Sequence, residues 1–368
     1  MKITKLTDEL TKLQCICQVN DAQIVELHNK IVDLKGKIRI CVRVRPLLSE
    51  EISAGETSEH INIANDKTIK INHHGQVSSF EFQRIWSQND TQQTIFNDVK
   101  ELIESSLHGF NVAIMAYGQT GSGKTYVMEG DVGGCEGILP RALKFIFDRR
   151  SQLILRNWEV EIECARYEFY NNKCYDLLAH GGPRMAEVHF ANGRSEIHQL
   201  SRHTILNIEQ GLELLSKSRL LRTTATTLCS PQSSRSHSIF EFTIKVKNSS
   251  SDYESFLSLV DLAGSERINE SGASGAQITE AISINRSLSD LRNVIRAKME
   301  NFSHVPYRNN KLTIALAKTL GCSSSKTLLI IALRPTLSAA LETRRSLEFA
   351  NVANSTKIGA AVKQQTTK

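Results

Sequence analysis

The feature that most narrows the fold is one short string, Gly118-Gln-Thr-Gly-Ser-Gly-Lys124-Thr125. It follows a mostly apolar run, 111–117, that reads as a buried strand, and it precedes a helical stretch. That is the context in which G-x-x-x-x-G-K-[ST] has physical meaning. The glycines let backbone N–H groups turn inward at a helix N-terminus and cradle phosphate oxygens. Within the string, Lys124 is placed for the β and γ phosphates and the Thr125 hydroxyl for Mg²⁺. A strand–loop–helix unit that binds a nucleoside triphosphate follows, although the string does not say which one.

Around this unit, strand-like and helix-like segments alternate. Ile38, Ile40, Val42 and Val44 alternate with Lys37, Arg39, Cys41 and Arg43, which is a strand that Pro46 ends. Segments 256–262 and 327–333 read as buried strands. The strand at 240–247 alternates Phe240, Phe242, Ile244 and Val246 with Glu241, Thr243, Lys245 and Lys247, so one wet face is expected. Helices are expected at 91–107, 138–151, 208–219, 278–298 and 338–355. Buried strands between helices predict an α/β fold with a mainly parallel sheet covered on both faces. With 368 residues, 40% of them hydrophobic, the chain can bury a large core. No segment approaches the run of about 18 apolar residues that a membrane span needs. No N-terminal signal pattern is present. The eight cysteines are scattered without a CxxC pair, which is read as a reducing, intracellular compartment.

Residues 2–35 have a different period. Ile3, Leu10, Cys17, Ile24 and Ile31 fall at heptad position a, and Leu6, Leu13, Asn20, Leu27 and Leu34 at d. A seam kept in phase over five heptads predicts a coiled coil, with Asn20 able to set register or partner. The simpler alternative is an amphipathic helix lying on the globular domain. Charges in the first 36 residues cancel, so the net +6 belongs to the remainder and suits an acidic partner. No basic stretch is interleaved with aromatics as nucleic-acid stacking requires.

Two further strings complete a phosphate-sensing set. Val260-Asp-Leu-Ala-Gly264 ends a buried strand, where Asp261 can hold Mg²⁺ through water and the Gly264 N–H can reach a γ-phosphate. Ser233-Ser-Arg-Ser-His237 gathers hydroxyls and an arginine in one loop that can contact the γ-phosphate, Mg²⁺ and attacking water. A guanine-specific enzyme would carry N-K-x-D, and Asn172-Lys-Cys-Tyr-Asp176 has the wrong spacing.

Together and in this order, Ala116–Thr125, Ser233–His237 and Asp261–Glu266 resemble the phosphate loop and two switches of the kinesin motor domain. Arg43-Val-Arg-Pro46, Asn285-Arg-Ser-Leu288 and Val305-Pro-Tyr-Arg-Asn-Asn-Lys-Leu-Thr313 extend the resemblance over roughly 37–358. It implies a three-layer P-loop NTPase fold, with a central eight-stranded, mainly parallel sheet and three helices on each face, preceded by the N-terminal coiled-coil helix. The division implied is 1–36 neck, 37–358 motor and 359–368 polar tail. ATP with Mg²⁺ is the implied ligand pair, bound by Gly118, Gln119, Thr120, Gly121, Ser122, Gly123, Lys124 and Thr125. Pro46 and Tyr126 would sandwich the adenine beside Arg43 and Arg45. Thr125, Ser234 and Asp261 would hold the metal. Ser233, Ser234, Arg235, Gly264 and Glu266 would act on the γ-phosphate and lytic water, with Arg235 and Glu266 pairing when both loops close. Microtubule binding would fall to Lys298, His304, Tyr307, Arg308 and Lys311. Residues 280–320 hold seven basic and three acidic side chains, the right sign for tubulin's acidic surface.

The coil-then-motor order resembles the C-terminal-motor kinesins, the kinesin-14 class, whose movement is usually toward the microtubule minus end. That class implies a cytoplasmic, cytoskeletal protein whose coil pairs with itself or another chain, with no membrane or nucleic-acid partner. This sequence departs from the pattern at Lys37, Asn172, Leu221, Ser230, Gln277, Thr279 and the 322–325 loop, and its 267–279 loop is weakly basic. Ser230, Leu221 and that loop point toward the alternative, a microtubule-binding structural or crosslinking protein with weak turnover.

Overall fold

The computed structural model describes residues 2–36, 38–131, 134–191, 194–229, 233–248, 251–266, 276–321 and 325–354. Eleven strands make the main sheet: β1 (Ile38–Val44), β2 (Arg84–Trp86), β3 (Asn111–Tyr117), β4 (Glu159–Tyr170), β5 (Lys173–Asp176), β6 (Arg184–Ala191), β7 (Arg194–His198), β8 (His203–Thr204), β9 (His237–Lys247), β10 (Asp252–Asp261) and β11 (Ser325–Leu333). Their order is β7-β6-β5-β4-β9-β10-β3-β11-β1-β2, with β8 also paired to β4. Strands β10, β3, β11, β1 and β2 run parallel, and every pairing from β10 outward to β7 is antiparallel.

The expectation of an eight-stranded, mainly parallel sheet is therefore corrected. Half of the sheet is built from hairpins, which need no crossover helix between strands. The β4–β5 turn shows why the chain can reverse there. Asn171 and Asn172 sit at φ 47° and 57°, the left-handed pair that a two-residue hairpin turn demands. Asn172 thus suits its backbone, since Asn tolerates this region better than most residues.

Helices α1 (Lys2–Leu34), α2 (Gln92–Leu107), α3 (Ile138–Ile154), α4 (Ile208–Cys229), α5 (Ala276–Met299) and α6 (Ala340–Asn354) surround the sheet. Strand β3 shows how both layers are held. Its Val112 and Ile114 face a core completed by Ile95, Leu143 and Leu215 from α2, α3 and α4. Its Ala113 and Met115 face a second core with Leu288 of α5, Leu347 of α6, and Leu312 and Leu316 from the short helical stretch 311–320. A strand buried on both faces reads as an unbroken apolar run, as this one does.

Strand β9 departs from its expected wet face, since Glu241 and Thr243 are buried. Glu241 accepts from Arg202 at 2.9 Å and from the Tyr167 hydroxyl at 3.2 Å. Burying a carboxylate is tolerable only with such partners. The alternation thus reported the pleat correctly and the solvent wrongly.

Helix α1 runs without a break from Lys2 to Leu34. Among its described seam residues Leu13, Asn20, Ile24, Leu27, Ile31 and Leu34 are all exposed. The opposite side of its last turns meets the core. Val32 is buried, its carbonyl accepts from Arg39 at 2.8 Å, and Lys326 donates to Asn29 at 2.9 Å. The apolar stripe is therefore not packed on the domain, as the simpler alternative required. Residues 37 and 359–368 lie outside the described residues.

Candidate functional site

At the C-terminal end of β3 the chain turns through residues 118–123 into the short helix Lys124–Met128. Gly118, Gly121 and Gly123 all have positive φ, and a Cβ on Gly118 would overlap the Ala332 carbonyl. Only glycine fits there. Lys124 is buried, with its ammonium donating to the Gln119 carbonyl at 2.9 Å. Burial pushes its pKa down, while the Asp261 and Glu266 carboxylates oppose that shift. The buried Ser122 Oγ and Gln119 Oε1 have no hydrogen-bond partner among the described residues. A loop with a buried cation and spare polar groups is equipped to receive an anion.

Asp261 ends β10 directly behind this loop. Its Oδ2 accepts from Thr125 Oγ1 at 2.7 Å and from Arg222 at 2.7 Å. Its Oδ1 is buried without a partner among the described residues. An orphaned carboxylate oxygen beside a threonine hydroxyl fits a hydrated Mg²⁺ bound with a nucleotide.

Residues 263–265 spread their N–H groups across the site. Ala263 donates to His237 Nδ1 at 3.0 Å, Gly264 to the Ser234 carbonyl at 2.8 Å, and Ser265 to the Gly118 carbonyl at 3.2 Å. One short segment is thus pinned to the start of β9, to the Ser233–Arg235 turn and to the phosphate loop. A Cβ on Gly264 would crowd Thr120 Oγ1 and the Glu266 carboxylate. Glu266 accepts from the Thr120 N–H at 2.9 Å and its hydroxyl at 2.5 Å.

The expected Arg235–Glu266 pair is not formed in this structure. Arg235 instead meets Glu280 of α5 at 2.7 Å. Each charge has a nearer partner in this arrangement of the loops, so neither is left alone. Of Ser233 only the backbone position, in the turn 233–235, is described.

At the adenine end, the Arg43 guanidinium lies 4.8 Å from the centre of the Tyr126 ring, and Pro46 is exposed just beyond β1. Arg45 proves to be a strut rather than a free base contact. It donates to Gly121 O at 2.7 Å and to both oxygens of Glu51, at 2.5 and 2.7 Å. The hydrogen bonds from Arg45 hold the Glu51 carboxyl down to about 2.

Residues 43–356 match the family described as Kinesin motor domain. The chain belongs to that family. Kinesin-like protein KIN-14N of Oryza sativa subsp. japonica is 38% identical over 348 residues, 90% of this chain and 45% of that protein. Kinesin-like protein KAR3 of Saccharomyces cerevisiae is 37% identical over 354 residues, 90% and 48%. The chain spans about half the length of these curated relatives. Among solved structures, the C-terminal motor and motor homology domain of Kar3Vik1, fused to a synthetic heterodimeric coiled coil, superposes with a TM-score of 0.85 at 34% identity, covering 96% of this chain and 95% of that one. The motor domain of the Kar3-like kinesin from Ashbya gossypii gives 0.75 at 35% identity, covering 87% and 100%. Kinesin motor domains are microtubule-stimulated ATPases, and this chain carries one.

Behind the motor's phosphate loop lies a buried charge network that the motif strings did not reveal. Arg222 of α4 lies 3.7 Å from Glu129 and 3.8 Å from Glu168 besides its bond to Asp261. Arg166 pairs with Glu129 and donates to Ser218 at 3.0 Å. In sequence these charges are scattered over 129–261, and only the alternation of buried strand positions in β4 hinted that Arg166 and Glu168 point inward. Burial raises the pKa of Glu168, against the attraction of Arg222.

The residues expected to face the microtubule differ in their freedom. His304 and Arg308 are exposed, with Arg308 5.2 Å from the centre of the Phe190 ring and the Tyr307 ring stacked with Phe190 at 6.3 Å between centres. Lys311 is half-buried, its N–H donating to Asn172 Oδ1 at 3.4 Å. Lys298 is tied inward to the Gly321 carbonyl at 2.8 Å, so it braces the end of α5 rather than projecting from it. Ser230 and 267–275 lie outside the described residues, as do 322–324. Side chains at 276–277 are likewise not described.

Proposed function

We propose that this chain is an ATP-driven microtubule motor, minus-end-directed, whose residues 37–358 hydrolyse ATP and whose residues 1–36 form the coiled-coil neck. The observation that carries the reading is convergence. Three strings far apart in sequence meet through Thr125–Asp261 at 2.7 Å, Gly264–Ser234 at 2.8 Å and Thr120–Glu266 at 2.9 Å. Closing on the γ-phosphate requires Gly264 to give up the Ser234 carbonyl and Glu266 to leave Thr120 for Arg235. Arg235 must in turn leave Glu280, so α5 is released as the switches close. Thr125, Ser234 and Asp261 would hold Mg²⁺, which supplies charge neutralisation of the transferred phosphoryl group. Lys124 binds the phosphates, and Glu266 with Arg235 places the attacking water.

Direction is supported by the kinesin-14 relatives and by α1 lying N-terminal to the motor. The exposed seam of α1 is suited to a coiled-coil partner, the same chain or another. Residues 359–368 are a polar tail. The protein would work in the cytoplasm, on the cytoskeleton.

Steady-state ATP turnover with and without stabilised microtubules, at low and moderate salt, tests this reading. Strong stimulation that weakens with salt is the expected result. Microtubule binding without stimulation would instead establish a structural or crosslinking protein.

A further inference from the structure

His237 opens β9 and is 3% exposed. Its Nδ1 accepts from the Ala263 N–H at 3.0 Å, so in a neutral ring the proton sits on Nε2. That nitrogen lies 2.7 Å from Ser287 Oγ on α5, and the Ser287 hydroxyl donates to the Ile284 carbonyl at 2.7 Å. The bonds form a chain of one polarity: Ala263 N–H to Nδ1, Nε2–H to Ser287, and Ser287 O–H to the backbone of α5. Reversing the tautomer would leave the Ala263 amide without its acceptor. Burial, reinforced by the nearby Lys124 and Arg222 charges, pushes His237 down to about 3, so the ring stays neutral at physiological pH.

The other tie between this segment and α5 is of a different kind. Arg235–Glu280 is an ion pair whose arginine is one-quarter exposed, and it can exchange partners. The histidine link is buried at both ends, with His237 3% and Ser287 6% exposed. Ala263 directly precedes the Gly264 peptide, so the orientation available to the Gly264 N–H depends on how Ala263 is held.

We propose that His237 and Ser287 are positioning residues, a rigid relay that makes reorientation of the 263–265 segment and displacement of α5 a single event. Nucleotide state would then be read on α5 through this hydrogen-bonded chain, while the Arg235 pair acts as the exchangeable latch beside it. The proposal rests on the function proposed above, in which α5 is released as the switches close and residues 280–320 meet the microtubule.

The test is a cycle of Ser287→Ala, His237→Asn and the double variant, with Ser287→Thr as the conservative control. Asn can keep the Ala263 bond but is too short to reach α5. With Ser287→Ala we expect basal turnover within about twofold of the unaltered protein and microtubule-stimulated kcat about tenfold lower, the equivalent of one lost coupling bond. Ser287→Thr should restore most of the loss. The double variant should match the single ones, because both cut the same chain. Additive losses, or full stimulation in Ser287→Ala, would overturn the relay.

A second readout needs no microtubules. Amide exchange in 280–290 should respond to replacing ADP by a non-hydrolysable ATP analogue, and Ser287→Ala should abolish that response. An unchanged response would overturn the relay even if His237→Asn fails to fold. Arg308→Ala and Lys311→Ala separately test the microtubule face. Normal binding by both would remove that reading and leave the exchange result intact.

Discussion

The phosphate loop and the docking site of α1 both take charged side chains out of water, and they do so in opposite ways. Around the loop, Lys124, Arg222, Asp261, Glu129 and Glu168 are all nine-tenths buried, and Arg222 alone joins Glu129, Glu168 and Asp261 from three separate parts of the chain. At the docking site of α1, polar contacts flank the buried Val32. Glu101 receives Lys35 at 2.6 Å and Arg39 at 2.9 Å, Lys326 reaches Asn29 and Asp33, and His28 meets the Glu101 carbonyl at 3.1 Å. The first arrangement is over-determined, which suits groups that must present one geometry to a reacting phosphate. The second has a wet edge, which suits the detachable neck proposed for α1.

Breaking the buried side should be costly. Lys124→Ala should lower ATP turnover by about 10³-fold, of the order expected when a charge-stabilising donor is removed, measured in the steady state. Arg222→Ala should destabilise the motor by about 3–5 kcal/mol in urea unfolding, because it removes the buried charge that Asp261, Glu129 and Glu168 share. A loss below about 1 kcal/mol would mean that water reaches the network and that the contrast with the neck is weaker than drawn. Glu266→Ala should lower microtubule-stimulated turnover by about 10²-fold while nucleotide binding stays nearly intact. Equal loss of both would make Glu266 a structural anchor for Thr120.

The neck should respond gently. Lys326→Met should change α1 docking by less than about 1 kcal/mol, since it removes the Asp33 contact and the cost of burying an ammonium together. Proton linkage sharpens the point. Burial against the core depresses Lys326 from the ordinary 10.5 to about 8. Between those values the released lysine keeps a proton that the docked one has shed, so docking strengthens as pH rises above about 8 and is flat just below it. Burial also depresses His28, so docking weakens as pH falls below its ordinary 6.5. A fluorescence pair spanning α1 and α2 reads both limbs. Lys326→Met should erase the alkaline limb and keep the acid one.

Much of this protein was legible before any coordinates. Gly118–Thr125, β1, β3 and the start of α3 fall where local pattern put them, because a strand buried on both faces and a glycine-built turn are dictated by near neighbours in sequence. The uninterrupted helix to Leu34, with its described seam residues outward, is similarly local, set by a period of 3.5. What pattern could not determine was direction, partner and solvent. Whether a strand runs parallel or antiparallel depends on what it meets across the sheet, so local pattern predicts a mainly parallel sheet and leaves the antiparallel half built on β4, β5, β6 and β7 unassigned. Whether Glu241 or Arg166 is wet depends on distant partners, Arg202 and Tyr167 for the one, Glu129 and Ser218 for the other. Which carboxylate holds Arg235 depends on how two loops lie in one conformation. Sequence alone determined the phosphate chemistry and the family. Tertiary structure decided the charge network behind the loop, the inward turn of Lys298 and the link from Ala263 through His237 to α5, because those contacts exist only where distant segments share one buried volume.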